Sequence, residues 1–275
     1  MGISSTWNVT SSRVQLPSQG NKWTESLQGS RGRLILNADD WGRDRDTTDK
    51  TFECTRRGTV SSVSAMVFME DSERAAGVAR AHGIDAGLHL NFTAPFSAAN
   101  CPARLAEYQG RVAAYLGRNP FTRGIFNPLL VRHFEYVVAA QREEFLRLYG
   151  AEPKRYDGHH HMHLSANVML GRLLPAGTLV RQHFSYESGE KAMRNRVFRW
   201  LSRVMLGRRY RSVDFLFSLP PLEPPDRLQR IFSLARQFAV EVETHPINPR
   251  EYRFLTEGEI FRYAGECAIS RRYVA

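Results

Sequence analysis

Apolar and amphipathic segments alternate along the chain from residue 31 onward. Segments 34–36, 60–69 and 85–92 are short and apolar, which is typical of buried strands. Segments 47–57 and 72–81 lie between them and have the composition of amphipathic helices. Strands and helices that alternate at this spacing predict right-handed βαβ units and a parallel sheet.

The second half of the chain continues the alternation. We expect strands at 155–164, 178–181 and 240–244, and helices at 103–116, 129–148, 169–174, 190–211, 227–238 and 257–267. The sequence shows no internal repeat and no linker after residue 31. It therefore predicts one α/β domain over 31–275, preceded by a polar tail over 1–30 that is disordered or strap-like.

The composition is that of a globular protein and excludes a disulfide-rich or membrane-spanning one. The chain has 275 residues, of which 42% are hydrophobic and 24% charged, as in soluble globular proteins. Three scattered cysteines do not make a disulfide framework, and no apolar run approaches the ~20 residues of a membrane span. Residues 1–30 lack the apolar core of a signal peptide, so we expect a cytoplasmic protein.

Four predicted strands end in residues that bind metals or transfer protons. These are Asp39 and Asp40, His89, Asp157 with the histidine segment that starts at His159, and His245. In a parallel sheet or barrel the carboxyl ends of the strands open on one face. We therefore expect these side chains to converge in space.

The same residues also have structural interpretations. Asp39 and Asp40 could provide a metal ligand and a base, or one of them could cap a helix. His159, His161 and His163 share one face if the chain is extended there, which favours metal binding over packing. For His89 and His245, burial in the core and a role in the site remain equally open, whereas His82, His133 and His183 are expected to be structural.

Two histidines and one carboxylate form a metal site with open positions. Such a site, with a separate carboxylate and histidine for proton transfer, suits metal-assisted hydrolysis of an amide or ester. No strand is followed by a phosphate-binding loop, a GxSxG elbow or a GxGxxG turn, which argues against kinase, serine-hydrolase and dinucleotide chemistry.

Four of these motifs, in this order, resemble the YdjC-type carbohydrate deacetylases, which include chitooligosaccharide and hopanoid-associated deacetylases. NADDWG at 37–42 resembles the NADDFG opening of that family, and GLHLNFT at 87–93 resembles GLHLNLT. DGHHHMH at 157–163 resembles D-S-H-x-H-x-H with Gly158 in place of Ser, and THP at 244–246 resembles its late HP motif. GTVSS at 58–62 also matches, and the resemblance spans residues 31 to about 265.

The resemblance implies a distorted, TIM-like (β/α) barrel with one divalent ion at the C-terminal mouth of its strands. It implies metal ligation by Asp40, His89 and His159, with Asp39 as general base and His245 as general acid. His161 or His163 would be an alternative ligand or would hold a ligand in place. Asn91, Thr93 and Arg181 are predicted to contact substrate.

The predicted reaction is removal of the acetyl group from an N-acetylated amino sugar that is oligomeric or linked to a nucleotide, lipid or natural product. The alternatives are a metal-dependent phosphoesterase and a non-catalytic sugar- or metal-binding module. The ion is Zn²⁺ or Mg²⁺, with Mn²⁺ and Ni²⁺ as further candidates.

The net charge of +10 favours anionic partners, although a compositional bias toward arginine would also produce it. The arginines from Arg194 to Arg211 lie on a predicted basic amphipathic helix. That helix either packs on the barrel or contacts an anionic membrane surface or a phosphorylated carrier, which would place the protein at the inner membrane face. Nucleic acid is not an expected partner, because aromatic residues do not alternate with the basic ones near the motifs.

Overall fold

The fold is built on a seven-stranded parallel sheet. The computed structural model describes residues 32–185, 206–223, 225–264 and 269–273, so the predicted tail lies outside the described residues. The strands are β1 (Arg33–Trp41), β2 (Ser62–Ala65), β3 (Ala86–Leu90), β4 (Arg155–Gly158), β5 (Leu179–Val180), β6 (Phe215–Ser218) and β7 (Ala239–Thr244). Their order across the sheet is β5-β4-β3-β2-β1-β7-β6, which confirms the predicted parallel α/β class.

The sheet is curled, so that its two edge strands approach each other. Leu179 on β5 forms an isolated parallel bridge with Arg211, which lies four residues before β6. The Val180 N–H donates to the Arg211 carbonyl at 2.8 Å, and the Ser185 N–H donates to the Leu216 carbonyl at 2.7 Å. The carboxyl ends of all seven strands consequently lie around one opening.

Helices connect the strands. Those described are α1 (Arg45–Arg56), α2 (Ser72–His82), α3 (Ala103–Leu116), α4 (Val131–Tyr149), α5 (Ala166–Leu170), α6 (Pro225–Leu234), α7 (Pro249–Thr256) and α8 (Glu259–Ala264). Local chemistry sets their ends: the Asp44 carboxylate caps α1 by accepting from the Thr47 N–H, and Gly83 ends α2 in the left-handed region at φ 63°. No helix in the described ranges combines the length and apolar character that crossing a membrane requires.

Side chains of β1 alternate between two environments. Leu34, Leu36 and Ala38 belong to the large hydrophobic core beneath the helices. Ile35 belongs to a separate cluster with Leu179, Val213 and Tyr273. Because side chains alternate along a strand, the positions that share the face of Ile35 point into the curl of the sheet.

Several elements differ from the expectations. The strand β6 was not predicted, and the strand predicted at 155–164 ends at Gly158, after which residues His159–Leu164 form a 3-10 turn. The helix predicted at 169–174 lies earlier, at Ala166–Leu170. Most of the predicted arginine helix, residues 190–205, lies outside the described residues.

Candidate active site

The inner face of the curled sheet is polar near the carboxyl ends of its strands. Five neighbouring strands contribute buried polar or charged side chains to this face, all with at most 7% exposure: Asn37, Asp39, Ser62, Ser64, His89, Arg155, Asp157, Glu241 and Glu243. Buried charges are stable only when they are paired and hydrogen-bonded. The contacts among these residues therefore define the site.

A local irregularity in β1 directs both aspartates toward this site. The pairing with β2 shifts register between Ala38 and Trp41, and Asp40 has φ 63°, in the left-handed region that a non-glycine residue rarely adopts. On a regular strand, Asp39 and Asp40 would point to opposite faces. Here both approach the His89 Nε2 atom, with an Oδ2 of Asp39 at 3.9 Å and an Oδ1 of Asp40 at 3.4 Å.

The three residues predicted to bind a metal lie together. The ligand atoms of Asp40, His89 and His159 are all within 4.8 Å of one another, and the His159 Nδ1 atom lies 3.0 Å from the Asp40 Oδ1. Burial works against ionisation of Asp40, but hydrogen bonds with His159 and His89 hold the pKa of its carboxyl well below the usual range. The group therefore presents a carboxylate, not a carboxylic acid, to the two imidazoles.

Asp157 fixes the orientation of His89. Its Oδ1 atom accepts from the His89 Nδ1 at 2.7 Å, which leaves Nε2 directed at Asp40. Although burial disfavours the charged imidazole, the surrounding carboxylates of Asp39, Asp157 and Asp40 raise the pKa of His89 to about 10. A carboxylate behind a histidine is the arrangement that holds metal-binding histidines in proteins, so this donor set fits a divalent ion.

A buried guanidinium holds the Asp39 carboxylate. Arg181 donates to Asp39 through Nη1 at 2.6 Å and Nη2 at 2.8 Å, a two-bond pairing, and its side chain has no solvent exposure. Burial alone would raise the pKa of Asp39, but the charge of Arg181 outweighs it and the pKa is lowered. Arg181 also lies 2.7 Å from Glu241, 3.1 Å from Glu243 and 3.4 Å from Asp157.

His245 follows β7, which pairs with β1 on the side away from β2 and from β3, the strand that carries His89. Ligand atoms of Asp39, Glu243 and His245 are within 4.8 Å of one another, and His245 is only half-buried. The Glu251 carboxylate accepts from the His245 backbone N–H at 2.8 Å and from the Thr244 hydroxyl at 2.7 Å. These bonds fix the chain at the end of β7 where the imidazole enters the site.

The expectation that three histidines share one face is wrong. His160 and His161 have φ of 55° and 57°, so the chain turns here instead of extending. His159 faces Asp40, whereas the His161 Nε2 lies 3.2 Å from Glu243. His163 donates through Nε2 to the Arg181 carbonyl at 2.9 Å, and its burial lowers its pKa to about 3.

Two of the residues predicted to contact substrate, Asn91 and Arg181, form their hydrogen bonds with other groups of the protein. The Asn91 side chain is buried and bonds the loop after β3, accepting from the Thr93 and Ala94 N–H groups and donating to the Ala94 carbonyl. Arg181 is occupied by carboxylates. Thr93 is partly exposed, and its hydroxyl lies 3.2 Å from the His160 Nδ1 atom.

The sequence analysis missed the residues behind the site. Asp157 and Glu243 lie within motifs that were recognised but were given no role, and Glu241 was not singled out, although charged residues inside apolar strands signal a buried polar function. Gly87 leaves room for the Arg155 guanidinium, since an added Cβ would lie 2.7 Å from its Cζ atom. At Gly158 a Cβ would lie 3.0 Å from the Leu90 carbonyl oxygen, so little space is left for the serine of the family pattern.

Several proteins of similar sequence are named carbohydrate or chitooligosaccharide deacetylases. The chain is 30% identical over 136 residues to a chitooligosaccharide deacetylase of Escherichia fergusonii, a match that covers 49% of this chain and 52% of that protein. It is 30% identical over 139 residues to a carbohydrate deacetylase of Mus musculus, covering 50% of this chain and 45% of the relative. The chain thus spans about half the length of the curated relatives it matches.

A solved structure matches more of the chain. A protein from Enterococcus faecalis V583, provisionally described as a cellobiose-phosphate cleavage protein, superposes with a TM-score of 0.63 at 19% identity, over 89% of this chain and 98% of that one. At this identity the match supports the fold alone. The model of the YdjC-like protein family matches residues 33–253, which include every residue of the site described above. This chain therefore belongs to the YdjC-like protein family.

Proposed function

We propose that this protein is a metal-dependent carbohydrate deacetylase, a hydrolase that removes the acetyl group from an N-acetylated amino sugar. One observation carries the proposal: a buried carboxylate and two imidazoles converge beside a second carboxylate that a buried arginine holds in its ionised form. The names of the curated relatives, chitooligosaccharide and carbohydrate deacetylases, support this substrate class.

Asp40, His89 and His159 are the residues that would hold the metal ion. When bound, a divalent ion would polarise the amide carbonyl and lower the pKa of a water molecule. Imidazole nitrogens favour Zn²⁺, while the carboxylate and open positions also suit Mg²⁺, Mn²⁺ or Ni²⁺. The site would lie at the C-terminal mouth of a distorted TIM-like barrel formed by 31–275.

Asp39 is the proposed general base. Because the pKa of its carboxyl is lowered, Asp39 is ionised near neutral pH and able to accept a proton from water. Its two bonds with Arg181 fix its direction, and it lies beside the predicted ligand His89. A base held in this way needs no reorganisation before the proton moves.

His245 is the proposed general acid. It is half-buried, near Asp39, and its backbone is anchored by Glu251, so the imidazole can reach a leaving amine at the opening of the site. His161, held at 3.2 Å from Glu243, borders the same space. Thr93 is the predicted substrate contact with an accessible side chain, and we assign Asn91 and Arg181 to positioning.

Paired variants separate metal binding from proton transfer. We expect Asp39→Asn to keep its metal, measured by mass spectrometry of the protein-bound element, and to lose at least about 100-fold in acetate release. His89→Ala and His159→Ala should lose both metal and turnover. Asp226→Asn and His82→Ala, both on exposed helix positions, are the matched controls and should lose neither.

Two results would contradict the assignment. Full turnover by the Asp39→Asn variant would remove Asp39 as the base. Unchanged metal content in the combined His89→Ala and His159→Ala variant would remove the proposed metal site. Metal-dependent release of phosphate but not acetate from a matched substrate panel would favour the phosphoesterase alternative.

A further inference from the structure

Large apolar side chains are concentrated on the outside of one loop, residues 117–130, between α3 and α4. Phe121 is 67% exposed, Ile125 56%, Phe126 39% and Leu129 84%. Within the described residues, these four account for most of the large apolar side chains that face solvent. A concentration of this kind marks an interaction site more often than chance exposure does.

The loop is built to keep these side chains outside. Thr122 is buried, and its hydroxyl bonds the Leu116 and Asn119 carbonyls at 3.1 and 2.7 Å. The Tyr115 hydroxyl donates to the Ile125 carbonyl at 2.8 Å. The polar groups of the loop are thus satisfied inward, so the outward position of its apolar side chains is a property of the fold.

An arginine-lined cavity lies directly beside the apolar side chains. It has a volume of about 810 Å³, and Leu129 is part of its wall together with Arg104, Arg111 and Arg132. One acidic residue, Glu107, also lines it and pairs with Arg111 at 2.8 Å. The cavity therefore retains an excess of positive charge.

Aromatic rings hold one arginine of the cavity wall, Arg104. The Arg104 guanidinium carbon lies 5.0 Å from the ring centroids of both Tyr108 and Tyr136, and its Nη2 donates to the Tyr108 hydroxyl at 3.1 Å. The Tyr108 ring also packs on His133, with centroids 4.4 Å apart. This packing fixes an exposed cation in the wall of the cavity, and no ion pair with a carboxylate within 4.0 Å holds it among the described residues.

We propose that the 117–130 loop and this cavity form a docking surface for an anionic lipid bilayer. Exposed apolar side chains beside arginines are the combination that enters the boundary between lipid headgroups and acyl chains. Anionic headgroups complement the arginines of the cavity, and the net charge of +10 adds long-range attraction. A purely apolar protein interface would not require the arginines.

The docking surface is connected to the candidate active site. The Asn127 N–H donates to the Asn167 Oδ1 at 2.9 Å, and the Asn167 amide donates back to the Asn127 carbonyl at 2.8 Å. Asn167 lies on α5, which directly follows the His159–Leu164 turn. The proposal concerns binding alone and does not depend on the proposed catalytic activity.

Sedimentation with lipid vesicles tests the proposal on the full chain. The probes are vesicles of phosphatidylcholine alone and vesicles that contain phosphatidylglycerol. We expect binding to the anionic vesicles, and an affinity at least about tenfold lower after Arg104→Gln, Arg111→Gln and Arg132→Gln are combined. The Phe121→Ser and Phe126→Ser double variant should lose a similar amount.

Matched controls separate this surface from overall charge. Arg250→Gln, Arg253→Gln and Arg262→Gln remove the same charge from exposed positions on α7 and α8, and Phe261→Ser removes an exposed ring on α8. The controls should lose much less affinity than the matched variants of the docking surface, and circular dichroism should show that all variants are folded. Three results would each overturn the proposal. The first is an equal loss of affinity in both arginine sets, and the second is no binding to either vesicle. The third is a concentration-dependent dimer that the Phe121→Ser and Phe126→Ser variant abolishes.

Discussion

At the scale of single residues, Arg181 is the most constrained side chain of the site. It is fully buried and contacts Asp39, Glu241, Glu243 and Asp157 within 3.4 Å. Burial opposes its charge, but these carboxylates raise the pKa of Arg181 well above its ordinary value. Its guanidinium therefore compensates several buried negative charges at once.

Removing this guanidinium should destabilise the fold strongly. We expect Arg181→Met to lower the free energy of unfolding by about 3–5 kcal/mol, because it leaves buried carboxylates without a partner. Lys50→Gln, which breaks an exposed pair with Asp46, should cost less than about 1 kcal/mol. Urea denaturation compares the two, and similar losses would show that the buried charges are not compensated by Arg181.

His163 should make stability depend on pH. Its folded-state pKa of about 3 lies below the ordinary 6.5, so the neutral imidazole is favoured in the folded protein. This contribution is present above pH 6.5 and is lost as the pH falls from 6.5 toward 3. Between pH 7 and pH 5 the loss amounts to about 2 kcal/mol.

The variant His163→Gln tests this dependence, because its amide can still donate to the Arg181 carbonyl but does not titrate. We expect the parent protein to lose about 2 kcal/mol more than this variant between pH 7 and pH 5 in chelator-treated samples. Denaturant midpoints at the two pH values provide the measurement. Equal losses in both proteins would show that His163 accepts its proton without cost.

At the scale of elements, the apolar pattern predicted most helices and strands, and it failed where the backbone turns locally or where an apolar run is short. The helix at 103–116 was predicted with the bounds that the structure has. The histidine segment was not, because nothing in its composition reports the left-handed φ angles of His160 and His161. The strand β6 is four residues long and is followed by a proline-rich segment, so its apolar run was too short to identify.

Two glycines of α2 should respond in opposite ways to alanine. Gly83 ends the helix at φ 63°, so alanine there should lower the free energy of unfolding by about 1 kcal/mol. Gly77 lies within the helix, so alanine there should raise the free energy of unfolding by about 0.5–1 kcal/mol. An added Cβ would meet nothing within 4 Å at either position, so packing does not complicate the comparison. In thermal unfolding, the Tm of Gly77→Ala should therefore be higher than that of the parent protein, and the Tm of Gly83→Ala should be lower.

At the scale of the whole molecule, the curl of the sheet assembles the site. The convergence of Asp39, Asp40, His89, His159 and His245 was predictable, because the carboxyl ends of parallel strands share one face. The pairing of Asp39 with Arg181 was not, since Arg181 follows the edge strand β5, four strands away from β1, and the two side chains meet only across the curl. Partners such as Asp157 and Glu243 depend on the same curvature.

Metal binding should stabilise the whole fold. The proposed ligands lie on β1, β3 and the turn after β4, so an ion would link three parts of the sheet. At a free Zn²⁺ concentration 100 times its Kd, the free energy of unfolding should rise by about 2.7 kcal/mol. Calorimetry should show this gain in the parent protein and not in His159→Ala; an equal gain in both would place the ion elsewhere.

The most direct test of the central claim is acetate release by the metal-stripped protein, before and after a single divalent ion is restored. The panel consists of N-acetylated amino sugars that are free, oligomeric, nucleotide-linked or lipid-linked. We predict acetate from at least one of them, only with metal present and not from Asp39→Asn. Absence of acetate from the entire panel, while the protein demonstrably holds its metal, would contradict the account.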